Sequence, residues 1–123
     1  MLEAKLAPLV LLVEDTPDIR ELYADALRDD GLRVEVAADG VEGVEKAIAL
    51  RPAVILMDFN MPRLDGLSAA HRLKQDARTR SIPVILSTSE AMHTQAQQAG
   101  CAFLEKPCSL AALVAAVQEQ LRP

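Results

Sequence analysis

The chain of 123 residues is 50% apolar and 25% charged, which suits one compact core rather than two domains. Its 13 Lys and Arg against 18 Asp and Glu leave a net charge of −5, the wrong sign for gripping phosphate backbones, so direct nucleic-acid binding is not expected. Cys101 and Cys108 form neither a CxxC pair nor a zinc spacing, and no stretch approaches the roughly 20 apolar residues of a membrane span, so a reduced, soluble, cytoplasmic protein is expected.

The run Leu6 to Val13 follows Lys5 as a signal segment would. It contains Pro8, ends in Glu14-Asp15 and lacks a small-residue cleavage site, so it reads as a buried strand over Leu9 to Val13. A helix is predicted from Asp18 to Asp29, with Ile19, Leu22, Tyr23, Ala26 and Leu27 on one face, Thr16 as N-cap, Pro17 at the first helical position and Gly31 past the end. Arg33 to Ala37 alternates apolar and polar residues and is placed at a sheet edge. A helix from Val41 to Leu50 closes before Pro52, and a strand runs from Ala53 to Asp58. The next helix, Gly66 to Ala77, presents Leu67, Ala70 and Leu73 together, and Pro83 to Thr88 is again a strand. Between Glu90 and Ala99 only Met92, Ala96 and Ala99 form a stripe, which predicts a short fourth helix. A last strand, Ala102 to Glu105, precedes a helix from Leu110 to Leu121 that carries Leu113, Val114, Val117 and Leu121 on one side.

Five strands alternate with five helices, and four of the strands are nearly continuous apolar runs, as in a parallel sheet covered on both faces. The predicted fold is therefore α/β, a doubly wound five-stranded parallel sheet in a single domain over 1–123, ordered from about 8 to 121. Such sheets bind ligands at the carboxyl ends of their strands.

Those ends carry the polar residues. Glu14 and Asp15 follow the first strand and Asp58 closes the third, bringing three carboxylates to one edge. Two such charges about 4 Å apart repel by roughly 4 kcal/mol at an effective dielectric of 20, and a hard divalent cation such as Mg²⁺ would reverse the sign. The plainer alternative is that Glu14 and Asp15 merely favour the dipole of the following helix. Ser87-Thr88-Ser89 ends the fourth strand and Lys106-Pro107 follows the fifth, adding hydroxyls and one ammonium. Each of these alone reads as ordinary surface or turn; together they set an anion site against a cation site.

At this point the sequence resembles the receiver domains of two-component response regulators. The carriers are Leu11-Leu12-Val13-Glu14-Asp15, Ile55-Leu56-Met57-Asp58-Phe59-Asn60-Met61-Pro62 with Asp65-Gly66, Ile82-Pro83-Val84-Ile85-Leu86-Ser87-Thr88, and Lys106-Pro107. The resemblance implies a flavodoxin-like sheet of order 2-1-3-4-5 and a phosphoryl group accepted by Asp58 from a phosphohistidine on a sensor histidine kinase or histidine phosphotransfer protein. It implies Mg²⁺ held by Asp15, Asp58 and the main-chain carbonyl of Asn60, with Glu14 acting through water. Lys106 would neutralise the transferring oxygens, and Thr88 would donate its hydroxyl to the new phosphoryl group. Phe103 matches an aromatic switch position, where it lacks the phenol of the common Tyr; a plain core role is the competing reading. The Lys106-Pro107 bond is implied to be cis, Asp65 to cap the third helix, and Gly66 to permit a close approach. Thr88 to Lys106 is about one helical turn shorter than the family spacing, and the loss falls in Glu90 to Ala99. That alters the face formed by the fourth helix, fifth strand and fifth helix, the common output and dimer face of receivers, and predicts a short or mobile fourth helix.

The leading expectation is a stand-alone, phosphorylation-controlled binding module, a monomer or weak phosphorylation-dependent dimer that acts through an unknown downstream protein and turns over no external substrate. A pseudo-receiver that binds its partner without phosphorylation keeps the fold and drops the chemistry. A haloacid-dehalogenase-like aspartyl phosphatase would need a second acid where Asn60 stands. Flavin or nucleotide binding would need a phosphate cradle where Glu14-Asp15-Thr16-Pro17 stands. His71 and His93 lack matching ligands, Arg63 and Arg80 read as solvated, Cys101 as the filling of a buried slot, and Cys108 as the opening of the last helix.

Overall fold

A computed structural model describes residues 6–61, 63–88 and 92–122; Lys5, Pro62, Ser89, Glu90 and the side chain of His93 lie outside the described residues. The chain runs β1 (Leu9–Val13), α1 (Pro17–Asp29), β2 (Arg33–Ala37), α2 (Gly40–Leu50), β3 (Val54–Asp58), α3 (Gly66–Gln75), β4 (Val84–Thr88), α4 (His93–Gln98), β5 (Ala102–Glu105) and α5 (Leu110–Leu121). All strand pairs are parallel, in the order β2-β1-β3-β4-β5.

Because side chains alternate across a strand, each strand feeds two cores. Leu11, Val13, Ile55, Met57 and Leu86 meet Ala47, Ala69, Leu73 and Ala96 of α2, α3 and α4 on one face. Val10, Leu12, Leu56 and Ile85 meet Ala24, Leu27, Leu113 and Val117 of α1 and α5 on the other. The three central strands, covered on both sides, are the apolar runs; β2 alternates because it is an edge, as its pattern predicts. β5 departs from the reading of four doubly covered strands: it forms the opposite edge and is only half-buried. Its composition misleads because so short a run cannot display alternation.

Other boundaries shift for local reasons. α2 starts one residue early, at Gly40, where Asp39 caps it by accepting from Glu42 N at 2.9 Å. α3 stops at Gln75 rather than Ala77, since the Asp76 carboxylate takes the Arg78 amide and guanidinium at 2.8 to 3.0 Å and turns the chain. β3 and β4 begin at Val54 and Val84, one residue inside Ala53 and Pro83. α5 begins at Leu110 behind the cap Ser109, so Cys108 precedes the helix instead of opening it. α4 has six residues, with Ala96 and Ala99 buried and Met92 partly so; residues 90–91 of the predicted helix are outside the described residues.

In α1, Thr16 stands at the N-cap with Pro17 behind it, but its side chain makes no cap bond. Ala24 and Leu27 are the buried pair, while Ile19 and Leu22 remain 39% and 51% exposed. The predicted stripe is wider than the face that α1 lays on the sheet, and Leu22 instead lines an open groove of about 620 Å³ with Leu110 and Val114 of α5. Gly31 has φ +88°, as a residue closing a helix requires. Cys101 is buried, and Arg80 and His71 are exposed, as expected. Arg63 is exposed but not free, pairing with Asp39 at 3.3 Å. Among the described residues no helix is long and apolar enough to cross a membrane.

Candidate functional site

The strand ends assemble a cleft of about 500 Å³ that includes Glu14, Tyr23, Asp58, Lys106 and Cys108 in its lining. Glu14 directly follows β1, and one carboxylate oxygen from each of Glu14, Asp15 and Asp58 lies within 4.8 Å of the others. Adjacency in the sheet brings them together, since Val13 of β1 pairs with Met57 of β3 one residue before the acids. Glu14 and Asp58 are buried, at 4% and 6% exposure.

Burial of this kind penalises charge, and Asp58 and Asp15 raise the penalty at Glu14 further. Its carboxyl is pushed up to about 7, chiefly by burial, against the opposing pull of the Thr16 amide, which donates to Oε2 at 3.1 Å, and of Lys106. Asp58 is treated differently. Its Oδ1 accepts from Asn60 N at 3.4 Å and forms an ion pair with Lys106 Nζ, so a cation already faces it. Lys106 is positioned by its own amide, which donates to the Thr88 carbonyl at 2.8 Å where β4 ends, and the following Lys106–Pro107 bond is cis.

The loop after β3 is held close. Gly66 N donates to Phe59 O at 2.8 Å, and a Cβ on Gly66 would fall 2.2 Å from the Asp58 carbonyl oxygen, so the third helix can start here only with glycine. Asp65 caps α3 by accepting from Ser68 N at 2.8 Å. Asn60 is exposed at the rim, Thr88 is buried at 1% exposure, and Phe103 of β5 is partly buried against the core shared with α3 and α4. Sequence reasoning missed Tyr23, whose phenol burial pushes upward, and Arg20, whose guanidinium donates to the Glu14 carbonyl at 2.9 Å. Their signal was helical spacing from Thr16, which turns them toward the strand ends.

A model of the response regulator receiver domain matches residues 10–118. The chain belongs to the response regulator receiver family. Receivers are phosphoacceptor signalling modules of two-component systems, and the receiver fold explains why the acids and the lysine converge here. The receiver is 33% identical over 116 residues to the polar-differentiation response regulator DivK of Brucella anthropi, covering 91% of this chain and 94% of DivK. It is also 33% identical over 119 residues to the DNA-binding dual master transcriptional regulator RpaA of Synechocystis, covering 94% of this chain and 49% of RpaA. The chain thus spans about half the length, or less, of several curated relatives. Among solved structures it resembles the chemotaxis response regulator CheY4 of Vibrio cholerae, with TM-score 0.87, 30% identity, and coverage of 94% of this chain and 99% of that one. The receiver domain of the sensor kinase PA1611 from Pseudomonas aeruginosa, solved with a magnesium ion in its active-site cleft, gives TM-score 0.86 at 34% identity, covering 94% and 98%.

Proposed function

We propose that Asp58 is the phosphoacceptor of this receiver, taking its phosphoryl group from a phosphohistidine on a sensor histidine kinase or histidine phosphotransfer protein. The observation that carries the reading is the buried Asp58 carboxylate paired with Lys106 inside a cluster of three acids at the sheet edge. A carboxylate oxygen of Asp58 attacks phosphorus as the phosphorus–nitrogen bond breaks, the electron pair returns to the imidazole nitrogen, and an acyl phosphate results. Lys106 stays beside the transferred oxygens and offsets their charge. Thr88 donates its hydroxyl to the new phosphoryl group, and Phe103, next along that face, follows the movement.

The donor set fits Mg²⁺, because it consists of hard oxygens with an unbalanced negative charge. Asp15, Asp58 and the Asn60 carbonyl would hold the ion, with Glu14 reaching it through water. When bound, Mg²⁺ supplies positive charge against the phosphoryl oxygens. Asn60, two residues beyond the acceptor, offers no acid to shuttle a proton, which supports a signalling module without turnover of external substrates. The net charge of −5 supports a protein partner over a nucleic acid. The two free thiols support a cytoplasmic setting.

Intact mass after incubation with Mg²⁺ and acetyl phosphate tests the reading. One phosphoryl adduct is expected in the wild type and none in Asp58→Asn or with chelator; an adduct that survives Asp58→Asn overturns the assignment.

A further inference from the structure

Among the described residues, Ser87 Oγ is the buried side-chain polar atom that has no hydrogen-bond partner, in a residue only 4% exposed. A buried hydroxyl without a partner keeps its full desolvation penalty, and an apolar side chain of the same size would avoid it, so the hydroxyl calls for a role. Its place in the sheet supplies one. Ser87 of β4 is in register with Asp58 of β3 on one side and Leu104 of β5 on the other. Strand alternation puts it with Ile85 on the α1 and α5 face, the face that Leu56 and Asp58 share on β3. The Asp58–Lys106 ion pair links the end of β3 to the residue just past β5, and so passes over β4 at this level. The Phe59 amide, donating to the Ser87 carbonyl at 3.0 Å, locks the two strands side by side there.

Neighbouring strands lie about 4.8 Å apart, so a seryl hydroxyl needs only a rotamer change to reach a carboxylate in register with it. Both hydrogen bonds that Asp58 receives among the described residues arrive at Oδ1. We infer that Ser87 is a positioning residue of the phosphoacceptor, its hydroxyl turning to donate to Oδ2 of Asp58 and fixing the carboxylate plane while Lys106 holds Oδ1. The inference rests on Asp58 being the acceptor. It adds a second hydroxyl, distinct from Thr88, that acts on the carboxylate rather than on the phosphoryl group.

Three substitutions in the full chain separate this role from a leftover of packing: Ser87→Ala, Ser87→Val and Ser87→Thr, the last two being equal in shape and different in hydroxyl. Adduct formation with acetyl phosphate is expected to slow about tenfold in Ala and Val, the loss of one hydrogen bond to a charged group, and to return to near the wild-type rate in Thr. Melting temperatures above the assay temperature in all three variants show that each is folded. The ¹³C shift of the Asp58 carboxyl should move in Ala and return in Thr, a readout independent of turnover. Equal rates and an unmoved carboxyl shift across the set overturn the inference, as does Thr behaving like Val. A wild type that forms no adduct on Asp58 fails the acceptor reading itself, and this inference falls with it.

Discussion

Glu14 shows how one buried side chain links stability to the metal site. Its folded-state value of about 7 lies above the ordinary 4.5, so between these values the folded protein holds a proton that the unfolded chain releases. The stabilisation from this group is complete below about pH 4.5 and is lost as pH rises through about 7. In metal-free protein the melting temperature of the wild type should therefore fall relative to Glu14→Gln from acid to mildly alkaline pH. Mg²⁺ should narrow the gap at the alkaline end by favouring the ionised form. Parallel profiles for the two proteins, followed by calorimetry, would show that Glu14 is not strained by its neighbours. Asp76 has the opposite sign: the Arg78 side chain and amide hold its carboxyl at about 2, but the pair lies at the surface and solvent weakens the contribution.

At the scale of elements, α4 differs from the other helices. It spans only six residues, His93–Gln98, lacks a side-chain cap, and buries little beyond Ala96 on the helix itself. Isolated helices this short are unstable, and α4 has a narrow apolar face with which to compensate. Its amides should exchange faster than those of α3 or α5, which have side-chain caps from Asp65 and Ser109 and bury Leu73 and Leu113. Hydrogen exchange followed by mass spectrometry measures this directly, and protection of α4 equal to that of α5 would contradict it. α4 packs on β5, the half-buried edge strand that carries Phe103.

Across the whole molecule, the two cores on either side of one sheet set where substitutions are felt. Leu56 lies on the central strand β3 and packs on the α1 and α5 side at 2% exposure. Truncation to Ala should destabilise the fold by about 2–5 kcal/mol. Leu22→Ala, at a position 51% exposed on α1, should change stability by about 0.5 kcal/mol or less. Urea unfolding of both variants tests the division. Comparable losses would mean that Leu22 is held in the native core and that the groove it lines is closed in solution.

Much of this was legible in the sequence for a physical reason. Continuous apolar runs such as Val54–Asp58 and Val84–Thr88 mark strands covered on both faces, the alternation of Arg33–Ala37 marks an edge, and strand-end acids mark the carboxyl side of the sheet. These are local periodicities, and local sequence carries them completely. What the tertiary structure alone decided depends on distances between separate segments. The exposure of Ile19 and Leu22, the ion pair of Asp58 with Lys106, the upward shift at Glu14 and the unpartnered hydroxyl of Ser87 all arise from which segments lie side by side. No periodicity encodes a neighbour brought in from another part of the chain; packing does, and the chemistry of the site depends on those neighbours.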